Sequence, residues 1–191
     1  MKWTAVAAAA MLLAGCASAP TPRFYTLSAQ IESAPYAAGP SVSVAAVTVP
    51  DVVDRPQLVV AVNANEVLIV EQHRWAEPLK SELGRVIAEN LSRITGNPRI
   101  AAYPQNASLN AEYRVLVDFQ RLAGRPDGEV VLDALWSLRK PNGEVLRSGR
   151  ARAQARGEPG YDALVAAYSR ALAKISAEIA MALKGLPAET R

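Results

Sequence analysis

Residues 129–156 read EVVLDALWSLRKPNGEVLRSGRARAQAR, and the reading of this stretch decides the fold. Two β-rich runs, residues 129–138 and 144–156, flank Asn142-Gly143, a dipeptide strongly favoured in two-residue hairpin loops. With that pair as the loop, Pro141 faces Glu144. Counting back sets Asp133 against Arg152 and Glu129 against Arg156. On the other face Ala134 meets Ala151, Leu132 meets Ala153, and Val130 meets Ala155. Trp136 falls opposite Gly149, a large ring over a residue with no side chain. Both faces make sense in this register, and a slip of one residue would turn every side chain to the wrong side. The apolar, alanine-lined face is therefore expected under helices, and the charged face toward solvent or a partner.

Working outward, Tyr113 to Gln120 reads as a third strand, joined by the turn Arg125-Pro126-Asp127-Gly128. Residues 161–184 carry Leu164, Tyr168, Leu172, Ile175, Ile179 and Leu183 at helical spacing, with Gly185 and Pro187 as stop signals. A second such stripe is Leu79, Leu83, Val86, Ile87, Leu91 and Ile94. It predicts a helix over 77–95, with Pro78 in the first turn and Gly96 and Pro98 ending it. Upstream, residues 24–28 and 42–49 read as strands. Leu58 to Val62 and Glu66 to Glu71 read as a hairpin around Asn63-Ala64-Asn65, and residues 99–103 as a short strand. The order is strands, helix, strands, helix. The economical solution is an α+β fold: a mostly antiparallel β-sheet with two helices packed on one face.

The N-terminus has a different character. Lys2 precedes an uncharged, alanine-rich run from Trp3 to Leu13, then Leu13-Ala14-Gly15-Cys16. A basic start, a short apolar run and small residues at a cut mark a secretory signal peptide. The run is too short to span a bilayer, which takes roughly 20 apolar residues. The cysteine makes the segment resemble the bacterial lipobox, in which the thiol takes a diacylglyceryl group. On this reading residues 1–15 are cleaved and Cys16 is the lipidation site. Residues 16–23 form a tether stiffened by Pro20 and Pro22, 24–186 the domain, and 187–191 a tail. Cys16 is the only cysteine. Lipidation removes what would otherwise be a free thiol in an oxidising compartment. Each buried methylene contributes about 0.8 kcal/mol, so three acyl chains would hold the protein on a membrane. The lipobox resemblance implies a further point: Ala17 stands where an aspartate would favour inner-membrane retention in such lipoproteins, so the expectation is the outer membrane, with the domain facing the periplasm.

Cleavage removes one base and no acid from a chain of net charge +3, too balanced a composition to argue for nucleic acid. His73 is the only histidine. A triad or a histidine-rich metal site is thus unavailable within one chain, and no glycine-rich phosphate loop is present. Asp51 and Asp54 sit beside Arg55 and suit turn contacts better than acid–base chemistry. The expectation is no enzyme and no cofactor beyond the covalent lipid on Cys16.

The distinctive segments are Asp54-Arg55-Pro56-Gln57-Leu58-Val59 and His73-Arg74-Trp75-Ala76-Glu77-Pro78-Leu79, with Val130 to Leu138. Together with the lipobox and Phe24-Tyr25-Thr26-Leu27, they resemble the PqiC-type family of ABC-type transport auxiliary lipoproteins over nearly the whole mature chain. The resemblance implies an adaptor or docking lipoprotein of an intermembrane lipid transport system. It implies an MCE-domain protein as partner and assembly as a homo-oligomer. An accessory of another envelope machine, one assembling outer-membrane proteins or lipopolysaccharide, is the competing reading. Arg55, His73, Arg74 and Trp75 are the candidates for partner contact. Each has a plainer role open to it: Trp75 suits packing over the start of the first helix, and the arginines suit carboxylates or carbonyls at loop ends. The basic run Arg150, Arg152 and Arg156 already finds acids across the hairpin.

Overall fold

A computed structural model of the chain describes residues 20–187. The cleavage site, Cys16 and the first part of the tether lie outside the described residues, as do the last four residues of the tail. Eight strands form one sheet: β1 Arg23–Tyr25, β2 Val42–Thr48, β3 Gln57–Ala61, β4 Val67–Trp75, β5 Ile100–Ala102, β6 Tyr113–Gly124, β7 Glu129–Arg139 and β8 Val145–Arg156. Two helices, α1 Leu79–Thr95 and α2 Tyr161–Leu183, complete the α+β fold.

The long strand β6 organises the sheet. One edge carries β7, and β7 carries β8, all antiparallel. The other edge is shared: β2 runs parallel along Tyr113 to Asp118, and β3 joins at Gly124. Beyond β2 lies β5, and beyond β3 lies β4 and then β1. The sheet is thus mixed. Its long ladders, β6–β7–β8 and β3–β4, are antiparallel, and parallel pairings join them to β2, β5 and β1.

The β7–β8 register is the expected one from Glu129–Arg156 to Leu138–Arg147, including Asp133 against Arg152 and Trp136 against Gly149. The loop is not. Gly143 N–H donates to Lys140 O (3.0 Å), and Lys140 N–H donates to Glu144 O (2.9 Å). The loop is therefore Pro141-Asn142-Gly143, with Gly143 at φ 93°. Pro141 does not face Glu144 across a two-residue turn. A bulge between Leu138 and Arg139 brings Arg139 opposite Val145 and absorbs the difference. Three-residue loops ending on a left-handed glycine are the next most favoured hairpin. Pro141 suits the first position of this loop, since it fixes φ near −65° as the first central residue of a type I turn requires.

The apolar side of this hairpin lies under α2. Val130, Leu132, Ala134, Ala151 and Ala153 are buried, as are Leu164, Ala167, Tyr168, Ala171, Leu172 and Ile175 facing them. Alanines on sheet and helix let the two layers approach closely, and Gly124 goes further. A Cβ there would lie 2.7 Å from Tyr168 Oη and 2.9 Å from Leu164 Cδ1. The α1 stripe is buried from Leu79 to Leu91, with Ile94 partly so. Pro78 sits one position before α1, and Gly96 ends the helix at φ 68°, as glycine there allows. The helices meet through buried polar groups as well, Asn90 Nδ2 donating to Ser176 Oγ at 3.3 Å.

Strand directions decide which features share an end of the sheet. β1 parallels β4, β4 opposes β3, and β3 parallels β6. The β3–β4 hairpin tip therefore lies at the end where β6 finishes, beside the turn at 125–128. The Pro141-Asn142-Gly143 loop lies at the opposite end.

Candidate functional site

The two segments singled out in the sequence meet at the end of β4. Trp75 N–H donates to Pro56 O (2.7 Å), and Ala76 N–H donates to Tyr25 O (2.9 Å). The second bond pins the end of β1 at the approach to α1, and the first pins the Asp54–Pro56 connection against that approach. Between them lies a shallow cavity of about 350 Å³, lined by Asp54, Arg55, Pro56, Trp75 and residues 76–79. Lys80 Nζ closes its rim with an ion pair to Asp54 (2.7 Å).

Strand alternation sorts the three neighbours on β4. His73 and Trp75 point to the helix side, and Arg74 points away. Trp75 is 5% exposed, packed edge-on against Tyr168 with ring centroids 6.0 Å apart. Burial pushes the Tyr168 phenol far above its usual pKa, so it stays neutral. Trp75 is thus a core residue that also forms part of the cavity wall. Arg55 supplies the polar contrast. Its Nε is buried and has no hydrogen-bond partner among the described residues. Guanidinium nitrogens are obligate donors, and buried ones are nearly always satisfied. Arg55 itself lines the cavity, opposite the apolar wall that Trp75 contributes.

His73 occupies a separate cluster. Its Nδ1 lies 2.7 Å from Tyr25 Oη, and its ring centroid lies 3.9 Å from that of Tyr161 at the start of α2. Arg23 lies over the Tyr25 ring and pairs with Asp162 (3.1 Å). Burial, with the Arg23 charge second, lowers the His73 pKa and favours the neutral ring. Arg74 is on the outer face. Its Nε donates to Glu71 O (3.0 Å), and Gln57 Nε2 donates to the Glu71 carboxylate (3.1 Å). Of the four candidates, the fold brings Arg55 and Trp75 into one cavity and puts His73 and Arg74 elsewhere. On the charged face of the long hairpin, Asp133 accepts from Arg150 (2.7 Å) and Arg152 (3.0 Å). The Arg150 hydrogen bond leads in holding its carboxyl below the usual range.

Two organising residues were not singled out in the sequence. Glu82 is fully buried, and Leu27 N–H donates to its Oε1 at 2.6 Å. It fastens the segment after β1 to α1, with Arg85 3.5 Å away. Burial raises its pKa, and the Leu27 N–H only partly offsets this. Arg147 Nη1 donates to Ala182 O at 2.6 Å, satisfying the last carbonyls of α2. Signals for both existed. Glu82 adjoins Leu83 in the α1 stripe and precedes Val86 by one turn. Arg147 shares its strand alternation with inward-facing Gly149 and Ala151. Among the described residues no group of three or more His, Cys, Asp or Glu could hold a metal ion. None of their helices is long and apolar enough to cross a membrane.

The fold thus sets a shallow cavity between two loop segments of an α+β domain. The family can be stated outright. Residues 25–180 match the model of the ABC-type transport auxiliary lipoprotein component family, and the chain belongs to that family. It is similar to the intermembrane transport lipoprotein PqiC of Escherichia coli K12, with 26% identity over 97% of this chain and 99% of that protein. The PqiC protein of Shigella flexneri matches equally. Among solved structures, a protein from Xanthomonas campestris shares the fold with a TM-score of 0.69 at 16% identity, over 84% of this chain and 94% of that one. An uncharacterised protein does so with a TM-score of 0.67 at 24% identity, over 86% and 100%.

Proposed function

We propose that this protein is an outer-membrane lipoprotein, anchored through lipid on Cys16, that docks an MCE-domain protein of an intermembrane lipid transport system. The family membership and the likeness to PqiC along almost the full chain support the transport role. The observation that carries the docking role is the cavity between Asp54–Pro56 and Trp75–Leu79. It combines an apolar wall, to which Trp75 contributes, with the cation Arg55, whose buried Nε has no hydrogen-bond partner among the described residues. That combination suits a partner segment presenting an apolar side chain and a carbonyl or carboxylate. Arg55 is the anchor of this contact and Trp75 its wall. His73 shapes the neighbouring surface, and Arg74 extends it on the other face of β4. The domain acts as a homo-oligomer, since a ring of copies multiplies weak contacts through effective concentration.

The test is co-purification from gently solubilised membranes. The unaltered lipoprotein should bring down an MCE-domain protein. Arg55→Glu should weaken that capture while leaving the thermal midpoint nearly unchanged. Normal capture by Arg55→Glu would remove the assigned contact, and absence of any MCE-domain partner from the unaltered protein would remove the docking role. Cys16→Ala should leave the chain uncleaved at this site, or soluble after alternative processing, and mass spectrometry of an unmodified Cys16 in native membranes would contradict the anchor.

A further inference from the structure

The β3–β4 hairpin departs from the rule that a strand with one wet face alternates apolar and polar residues. Val60 opposes Leu68, Ala61 opposes Val67, and Val59 opposes Ile69. Leu68 and Val62 thus occupy one face, and Val67 and Ile69 the other. All four are exposed, from 36% at Ile69 to 50% at Leu68. The hairpin is nonetheless well formed. Val62 N–H donates to Glu66 O (2.9 Å), and Asn63 Nδ2 holds the Glu66 carboxylate (2.7 Å). The result is an ordered tongue, apolar on both sides, with a polar tip at Asn63, Asn65 and Glu66.

The entry of the chain says what lies near it. Arg23 pairs with His73 in a parallel ladder, so the chain preceding Arg23 heads back toward the start of β4 at Val67. A bulge in β4 sets Arg74 opposite Gln57 and Val67 opposite Ala61, so the stretch from Arg74 to Val67 covers only about 13 Å at roughly 3.3 Å per β3 residue. The seven residues from Cys16 to Pro22 reach about 25 Å when extended. A lipid on Cys16 is therefore within reach of the hairpin tip, whereas the Pro141–Gly143 loop is at the far end of the sheet. We infer that the β3–β4 hairpin rests in the interfacial layer of the membrane beside the lipid anchor and sets the orientation of the domain. A flat protein surface covers one face of such a tongue, while the headgroup and upper acyl region surrounds both. Insertion stays shallow for two reasons. Glu66 keeps the tip among headgroups, and the β4 edge before His73 has no neighbouring strand among the described residues, so its backbone needs water or headgroup partners.

This orientation rests on the lipidation of Cys16, and the experiment separates the two. A lipidated Cys16 has no free thiol, so one introduced cysteine is the only labelling site. Full-length lipoprotein with Leu68→Cys, Ile69→Cys or, as the distal control, Asn142→Cys is labelled with a small fluorophore. It is then reconstituted into phosphatidylethanolamine–phosphatidylglycerol vesicles. Quenching by aqueous iodide should fall about threefold or more at both hairpin positions, and interfacial nitroxide lipids should quench both, as expected for groups buried about 5–10 Å into the headgroup boundary. The label on Asn142→Cys should stay open to iodide and untouched by nitroxide. Hairpin labels as accessible to iodide as the control would overturn the proposal. So would labels shielded from iodide but not reached by nitroxide lipid, which would mark a protein cover such as a second copy. Uptake of label by the unsubstituted protein would show a free Cys16, overturning the anchor and the orientation with it by a readout independent of quenching.

Discussion

Gly149→Ala tests the register from which the fold was read. A Cβ at position 149 would lie 2.8 Å from Trp136 Cζ2, 3.0 Å from Cε2 and 3.1 Å from Nε1. Ordinary van der Waals contact begins near 3.4 Å, so the indole or the strand must give way by several tenths of an ångström. Trp136 is partly buried and packed against the core, which leaves it little room. Overpacking of this kind costs about 1–3 kcal/mol. Replacing a strand glycine by alanine returns about 0.5–1 kcal/mol of backbone entropy. The net expectation is a loss of about 0.5–2 kcal/mol, each kcal/mol worth about 2–4 °C in Tm for a chain of this size. The sign reverses when the ring is removed. In a Trp136→Leu background, Gly149→Ala should stabilise by about 0.5–1 kcal/mol. Trp136→Leu forfeits no hydrogen bond in this comparison, because Trp136 Nε1 is buried without a partner among the described residues. Urea denaturation of the four proteins in the cycle measures the coupling, expected at about 1–3 kcal/mol. Additive effects, or a stabilising Gly149→Ala in the parent, would refute the pairing of Trp136 with Gly149.

Three further outcomes follow from the buried and capping groups. Glu82 has a raised pKa when folded, so the folded state holds its proton more tightly. Its contribution is most favourable at low pH and is lost as pH rises from the unfolded value of 4.5 through the folded one. Glu82→Gln should therefore gain stability relative to the parent with rising pH over that window, and parallel denaturation midpoints at all pH values would contradict this. His73 has the opposite linkage. Its folded pKa is lowered, so its contribution is present above 6.5 and fades as pH falls through that value toward the folded one. His73→Asn should flatten that acid-side loss in thermal melts. Arg147→Met leaves the carbonyls of Ala182 and Lys184 without their guanidinium. It should cost about 0.5–1.5 kcal/mol, with hydrogen exchange rising first in the last turn of α2.

Local rules determined a definite part of this protein from sequence alone. The helical stripes of α1 and α2, their glycine stops, the strand runs and the body of the β7–β8 register all rest on neighbours close in the chain, where side-chain periodicity and turn chemistry act directly. The loop of that hairpin differs from the two-residue expectation because Asn-Gly suits more than one loop length. The choice depended on Pro141 and on a bulge at Leu138–Arg139, and a bulge has no side-chain signature. Tertiary structure alone decided the parallel pairings. Nothing in residues 23–25 or 42–48 specifies β4, β5 or β6 as neighbours, since a buried parallel strand reads only as a short apolar run. The site shows the same division. Segments Asp54–Val59 and His73–Leu79 were distinctive in the sequence, but alternation along β4 and the Trp75–Pro56 hydrogen bond decided which members meet. They joined Arg55 to Trp75 and sent His73 and Arg74 to opposite faces. The exposure of Val62, Val67, Leu68 and Ile69 was equally hidden. An apolar hairpin reads as core until the packing of the helices leaves it uncovered.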